Sequence, residues 1–539
     1  MSIVRDLWRQ RLRRDAVQLI LWIGGTAALA ASGFAGVVTS YGGEQERVAL
    51  LATVMANPVI LLFRGLPSGA GESQMVVFLL LPWLLLLAAL MSSFLAVRHT
   101  RGDEDDGRLE LLSATPAGRR MPLLATVLHG AGANIALGAL VAAAFVANSA
   151  AVVGSALVGA SCAFVGIVFL GVGLVAAQLM PTARGANAVA VWILVVTFVL
   201  AGIGNALGTP NSDLTRMQSS WPTWLSPFGW AENVRAFDAD AAGPLALLAV
   251  AAAASLIAAA VLQSRRDIGA SFVAEPTGRA RARAEFGSNF ALVARQSSAS
   301  LVGWVVAGLL AGALATSLGA VANQIGGQNP AVADVLDNLA GHGDLERGIV
   351  VVFFVMLGIL AACAGVQTAV RARQDEARGT AESVLATSIS RVRWLTDYLV
   401  AAAAAAALVL IAGIAGAAVG ALMTDDTDTL VRDAAIAALG QLPAAWVFVG
   451  LTALVFVLAP RLTIAASWLL VVVAAMIGLF GPLFGLAQAA TEASPFAAAP
   501  TPTADGVDVG GLWWTVIVLV ASVAASLGVM QRRELAPAG

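Results

Sequence analysis

Twelve long apolar runs follow one another through this 539-residue chain, and little polar sequence separates them. Their approximate bounds are 17–40, 74–97, 122–149, 152–180, 188–208 and 242–263. The second six are 299–322, 348–370, 394–422, 434–459, 463–486 and 512–530. A helix needs about 20 apolar residues to cross a bilayer, so each run is read as a transmembrane helix and no strand is indicated. Charged residues make up 12% of the chain against about 25% in soluble domains. A water-facing surface of ordinary extent cannot be built from that composition. The predicted fold is an all-α membrane protein of about twelve spans. Alanine-rich stretches such as 401–407 suit close helix packing in lipid.

The basic residues set the expected orientation. All 31 are arginine, and 25 of them fall in segments that share one side if both termini are cytoplasmic. The other six are Arg47, Arg64, Arg216, Arg235, Arg347 and Arg432. This is a strong positive-inside bias, and 18 of the 33 acids fall on the outer side. The expectation is a multi-pass protein of a bacterial inner (plasma) membrane with both termini cytoplasmic. Residues 1–15 alternate Arg5, Arg9, Arg11, Arg13 and Arg14 with apolar side chains, which predicts an amphipathic interfacial helix. A cleaved signal peptide competes, because Ala28-Leu29-Ala30 follows an apolar run. That run continues to Ser40, too long for a signal core, and is kept as the first span.

Several classes are excluded by what is missing. Without lysine the chain cannot form an ordinary Walker A loop. Three histidines (His99, His129, His342) and two cysteines (Cys162, Cys363) are too few for a structural zinc cluster. His129, a little over two turns into the third span, reads as a hydrogen-bonded packing histidine. No charged residue needs to sit at mid-membrane, which argues against a proton- or sodium-driven carrier. Paired carboxylates and histidine clusters do not occur within the runs, which argues against an intramembrane enzyme. Nucleic-acid binding has no support.

The chain repeats itself. Arg101-Gly102-Asp103-Glu104-Asp105-Asp106-Gly107-Arg108-Leu109-Glu110-Leu111-Leu112-Ser113-Ala114-Thr115-Pro116 returns 272 residues later, from Arg373 to Ser388. Extended to Arg119 and Arg391, eight of nineteen positions are identical. Both copies follow the second span of a six-span half. Pro181 with Arg184 echoes Pro460 with Arg461, Ser226-Pro227-Phe228 echoes Ser494-Pro495-Phe496, and Arg265-Arg266-Asp267 echoes Arg532-Arg533-Glu534. Six is an even number, so the two repeats, 1–283 and 284–539, are parallel. The connector 264–298 has room for a second interfacial helix near 286–295.

The repeated loop, Glu-x-x-Gly-x-x-Glu-x-x-x-Ala-Thr after a second span, resembles the coupling-helix region of type-2 ATP-binding-cassette exporter permeases. The phrase from Leu225 to Arg235 is similar to fused two-repeat actinobacterial permeases for polyketide antibiotics, the tetronasin-resistance type. That resemblance covers nearly the whole chain. It implies a permease without enzymatic activity of its own, served by two ATPase subunits that carry the ATP and Mg, with no cofactor in this chain. The implied substrate is a hydrophobic antibiotic or drug, exported by alternating access. Export of a lipid or cell-envelope precursor is the alternative, followed by a secondary carrier.

The residues fit that role. Gly107 and Gly379 permit a sharp turn. Leu111 and Leu112 offer an apolar docking surface, and Glu104, Glu110, Glu376 and Glu382 offer carboxylates to partner arginines. As solvated loop acids, these four would affect stability little when replaced. Thr115-Pro116 would start the third span. Ser383-Val384 and Ser388 replace Leu111-Leu112 and Pro116 in the second copy, so unequal docking is expected. By the same resemblance the substrate path is lined by Trp22, Trp83, Met91, Phe94, Phe198 and Asn205. Its second-half counterparts are Trp304, Phe353, Phe354, Met356, Trp468, Met476 and Phe480. The outer Trp221, Trp224 and Trp230 read as interfacial anchors.

Overall fold

Apolar side chains repeated without interruption leave the backbone to satisfy its own hydrogen bonds, and helices form accordingly. The structure is a computed structural model. It describes residues 2–55, 61–62, 64–113, 118, 120–274, 287–317, 345–422, 427–480, 488–503 and 506–534. Among them twelve helices are long and apolar enough to cross a membrane. The chain divides into two compact units, Met1–Thr277 and Gly278–Gly539.

The first unit contains α1 (Ser2–Ser40), α2 (Glu44–Met55), α3 (Glu72–Val97), α4 (Arg108–Ser113), α5 (Arg120–Ala147), α6 (Val152–Leu179), α7 (Ala183–Ala206), α8 (Pro227–Glu232) and α9 (Gly243–Ser264). A π-helical turn, Arg98–Gly102, prolongs α3 to Asp105. The second unit contains α10 (Asn289–Ser317), α11 (Leu345–Ala369), α12 (Arg371–Ala377), α13 (Thr380–Leu385), α14 (Arg391–Ala421), α15 (Thr427–Leu458), α16 (Thr463–Phe480), α17 (Gln488–Thr491) and α18 (Leu512–Met530).

Both units pack their spans in the same scheme: first on third, second on fourth, third on fourth, and fourth on sixth. In the first unit the second and fourth spans (α3, α6) are the most enclosed, and their counterparts α11 and α15 are enclosed with α14 in the second. Phe78, Phe169, Leu170 and Leu174 fill the first core, and Phe354, Leu357, Ala406 and Phe448 fill the second. Small residues let the first and third spans of the second unit meet at backbone distance. A Cβ on Gly312 would lie 1.9 Å from the Gly413 carbonyl oxygen, and one on Gly416 would lie 1.9 Å from that of Leu309.

Four local expectations change. The basic stretch 1–15 is not a separate interfacial helix but the first turns of the 39-residue α1. Its polar groups are held from outside: buried Arg11 donates to the Pro122 carbonyl (2.9 Å) and to Thr126 Oγ1 (2.7 Å) on α5. Among the described residues no separate connector helix precedes the seventh span either: α10 runs unbroken from Asn289, whose side chain donates to Asp397 at 2.9 Å. Helix α2 was not foreseen; buried Arg47 anchors it on the carbonyls of Tyr41, Gly42 and Ala70. Two short antiparallel ribbons also occur, β1 (Thr209–Pro210) with β2 (Met217–Gln218), and β3 (Thr501–Thr503) with β4 (Gly506–Asp508). They close connections between spans and leave the all-α class unchanged.

Candidate functional site

The duplicated loop has the same electrostatic skeleton in each unit. In the first, Glu104 accepts from Arg101, one helical turn earlier, at 2.7 Å. It also accepts from Arg266, which lies just past the end of α9, at 2.9 Å through Nη1 and more closely through Nη2. The side chains are almost fully enclosed: 1% exposed for Arg101, 6% for Glu104 and 5% for Arg266. Arg101 also donates to the carbonyls of Ala177 and Ala270, and Arg266 to Gln178 Oε1 at 2.9 Å. Asp105 accepts from the Ala183 amide at 2.8 Å, at the N-terminus of α7 where a carboxylate is favoured.

In the second unit Glu376 accepts from Arg533, just past the end of α18, at 2.8 and 3.0 Å, and from Arg373 at 3.4 Å. Arg101, Glu104 and Arg266 thus correspond one by one to Arg373, Glu376 and Arg533. The sequence repeat had aligned these positions without indicating that they touch. Each triad ties the loop to the last span of its own repeat. Arg533 additionally lies over the Phe456 ring, 4.6 Å from its centroid, a cation–π contact that supports the charge.

This geometry revises the picture of four solvated carboxylates. Glu104 and Glu376 are internal clamp residues. Glu110 and Glu382 are the exposed ones, on α4 and α13. Leu111 stands out at 75% exposed, Leu112 is half-buried, and the inward apolar contact is made by Leu109. Gly107 and Gly379 both adopt the left-handed conformation, φ +71° and +76°, where each loop reverses between its two short helices. An added Cβ would meet nothing within 4 Å at either position, so backbone conformation alone demands glycine. Thr115 and Pro116 lie outside the described residues. In the second copy Ser390 caps α14 by accepting from the Arg393 amide.

The residues assigned to the substrate path range from buried to exposed. Trp83 and Phe198 meet at 6.5 Å between ring centroids, and Phe198 continues edge-on to Phe228 at 5.5 Å. Trp22 and Met91 border one narrow crevice beside Asp15. Trp304 donates to Gln367 Oε1 at 2.5 Å. Met91 and Phe354 are buried core, Phe94, Phe353 and Trp468 are half-buried, and Met356 and Met476 are exposed. The side chain of Phe480 lies outside the described residues. A groove of about 790 Å³ opens between the start of α5 and the end of α9, lined by Arg120, Leu124, Val127, Ile257, Val261 and Gln263 among others. None of the assigned path residues lines it.

Asn205 has a specific partner that the sequence reading passed over. Its Nδ2 donates to Glu232 Oε2 at 2.6 Å, and both residues are buried. Ser226 caps the short helix α8 that delivers Glu232, by accepting from the Phe228 amide. Burial pushes the Glu232 carboxyl up to about 8, and the hydrogen bond from Asn205 offsets only part of that shift. The equivalent of Glu232 after Ser494-Pro495-Phe496 is Pro500, so this acid belongs to the first repeat alone. The available signal was an acid on an otherwise apolar helical turn.

Comparison with known proteins agrees with this architecture. The multidrug efflux system permease protein Rv1217c of Mycobacterium tuberculosis (strain ATCC 25618 / H37Rv) is 33% identical to this chain over 540 residues, covering 98% of it and 94% of the relative. The profile of the C-terminal domain of multidrug efflux system permease Rv1217c matches residues 286–532, nearly the whole second unit. With its twelve apolar helices and its duplicated, arginine-clamped loop, the chain belongs to the Rv1217c family of multidrug efflux system permeases.

Proposed function

We propose that this chain is the membrane-spanning subunit of an ATP-driven exporter that moves hydrophobic antibiotics or other drugs out of the cell by alternating access. Two separate ATPase subunits bind beneath the duplicated loops on the cytoplasmic side of the bacterial inner membrane, and the 25-to-6 arginine split supports that orientation. The observation that carries the reading is the clamp repeated in both units. A loop fastened to the first turn after a span transmits displacement to that span, whereas a solvated connector does not. Leu111 and Glu110 present the apolar and acidic surface to the ATPase, and Gly107 and Gly379 set its angle. The resemblance to type-2 permeases of the tetronasin-resistance kind and the drug-efflux name of the relative support the substrate class.

A second reading, export of a lipid or cell-envelope precursor, is favoured by the groove between α5 and α9. Its apolar walls end at Arg120, a suitable counter-charge for an anionic amphiphile. The test is reconstitution of the full chain with its cognate ATPase in proteoliposomes. The chain alone should hydrolyse no ATP, and the complex should hydrolyse it and export drug. Leu111→Ala with Glu110→Ala should weaken ATPase association at least tenfold while the chain still folds. ATP hydrolysis by the chain alone, or full association and export by the double variant, refutes the proposal. Transport of labelled lipid but not drug selects the second reading.

A further inference from the structure

Two of the three histidines in this chain converge on one carboxylate. His99 Nε2 and His129 Nε2 both contact Asp15 Oδ2, the latter at 3.0 Å. The three side chains come from three different spans, α1, α3 with its π-turn, and α5. Both imidazoles are fully enclosed and the Asp15 side chain is 3% exposed. One ligand atom from each can be chosen so that all three lie within 4.8 Å of one another.

No pair of neutral tautomers satisfies every buried nitrogen of this cluster. A neutral imidazole has one N–H and one lone pair. If both Nε2 atoms carry hydrogen toward Asp15, both Nδ1 atoms are buried lone pairs. His129 Nδ1 then has no partner, and His99 Nδ1 faces Asp103 Oδ2 at 3.7 Å, acceptor against acceptor. The opposite tautomers turn the His99 Nδ1–H toward Asp103 but aim two Nε2 lone pairs and a carboxylate oxygen at one point. A single added proton corrects one ring and leaves the other. A divalent ion takes the lone pairs of both Nε2 atoms and of Asp15 Oδ2 together and turns the His99 Nδ1–H toward Asp103.

The surroundings match what a transition-metal site requires. Asp103 stands behind His99 as the outer carboxylate that orients a ligating imidazole. Arg98 Nη2 lies 3.3 Å from Asp15 Oδ1, leaving Oδ2 for the ion, and Arg14 pairs with Asp103 at 2.9 Å. Two histidines and one carboxylate with a fourth position open form a recognised zinc donor set at about 2.0–2.2 Å per bond. His99 sits inside the π-turn Arg98–Gly102, and such turns gather at functional sites. Positions 272 residues after His99 and His129 hold Arg371 and Ala401, so the second unit cannot form this site.

We infer that Asp15, His99 and His129 form a single transition-metal site of the zinc class, which pins the first and third spans to the π-turn leading into the first coupling loop. The scarcity of histidine and cysteine that excludes a structural zinc cluster does not exclude this mixed set of two histidines and one carboxylate. The test uses the full-length chain in detergent, purified without a histidine tag and stripped with EDTA. Zinc chloride is then titrated calorimetrically, and retained zinc is counted by mass spectrometry after desalting. The expected result is one zinc per chain at about micromolar affinity or tighter, with a higher melting temperature. Asp15→Asn and His129→Gln should each weaken binding by more than tenfold, by analogy with losses of 10–100-fold for outer-shell changes. Cobalt in place of zinc should give visible absorption bands of a four-coordinate nitrogen and oxygen site. Absence of zinc binding by the wild-type chain overturns the inference, and this measurement needs no variant to fold. So does zinc retained undiminished by a His99→Gln/His129→Gln chain, which places the ion elsewhere. Stability that responds to pH between 5.5 and 7.5 but not to zinc assigns the cluster to a proton and also overturns it.

Discussion

Replacing Glu104 by glutamine removes the carboxylate that Arg101 and Arg266 both grip while keeping the side-chain size. Both guanidinium groups are at least 95% enclosed, so neither can turn to water for compensation. Removing one partner of a buried ion pair costs about 3–5 kcal/mol, because the remaining charge is left unbalanced. Arg101 keeps the carbonyls of Ala177 and Ala270, and Arg266 keeps Gln178, which places the loss near the lower bound, about 3 kcal/mol. Glu110→Ala, at an exposed position of the same loop, should change stability by no more than about 0.5 kcal/mol. The sixfold contrast is the test. Unfolding of purified variants in mixed micelles measures it, with a Glu104→Gln/Arg266→Gln cycle reading a coupling of about 1–3 kcal/mol. Glu376→Gln should behave alike but lose somewhat less, because Arg533 retains its contact with Phe456. If Glu104→Gln and Glu110→Ala are equally mild, or the cycle is additive, the clamp does not hold the loop.

Three further outcomes are expected. Gly107→Ala and Gly379→Ala should each cost about 1–2 kcal/mol, since alanine must adopt a left-handed conformation in open space, and unfolding measurements check the pair together. Glu232 takes up its proton more readily folded than unfolded, about 8 against an ordinary 4.5. Its stabilising contribution is therefore complete below about pH 4.5 and lost as pH rises through about 8. Glu232→Gln should flatten that part of the stability profile, and an unchanged slope refutes the assignment. Cysteines placed at Ser113 and Ser383 should react with an impermeant maleimide only after the membrane is opened; labelling of either in intact cells reverses the orientation.

The spans were legible because hydropathy in a bilayer is a one-dimensional signal, and each helix reports its own presence. The repeat was legible for a related reason: identity at a fixed offset requires no geometry. What the sequence hid were pairings across long separations. Arg101 and Arg266 look like two positive-inside charges until Glu104 is seen between them. Burial of an acid among arginines leaves the same composition as exposure of all three. Arg11 and Asp15 misled similarly, since alternation with Leu7 and Leu12 suggests an interfacial face when those polar groups face α5 and α3. Asn205 was found by its position within an apolar run, but nothing in the sequence joins it to Glu232, 27 residues away.

The clamp also carries a timetable. Glu104 and Arg266 are separated by 162 residues, and Glu376 and Arg533 by 157. Chains emerge at about 5–20 residues per second, so roughly 8–32 s pass between synthesis of Glu104 and of the arginine that completes its triad. During that interval four spans must be inserted while the acid waits with Arg101 alone. The pair therefore closes last in each repeat, and only when the sixth span has arrived in register. A nascent chain stalled before Arg266 exposes the loop in an unlatched form, chemically different from the finished one. Each half thus carries its own seal of completion, made once during biogenesis.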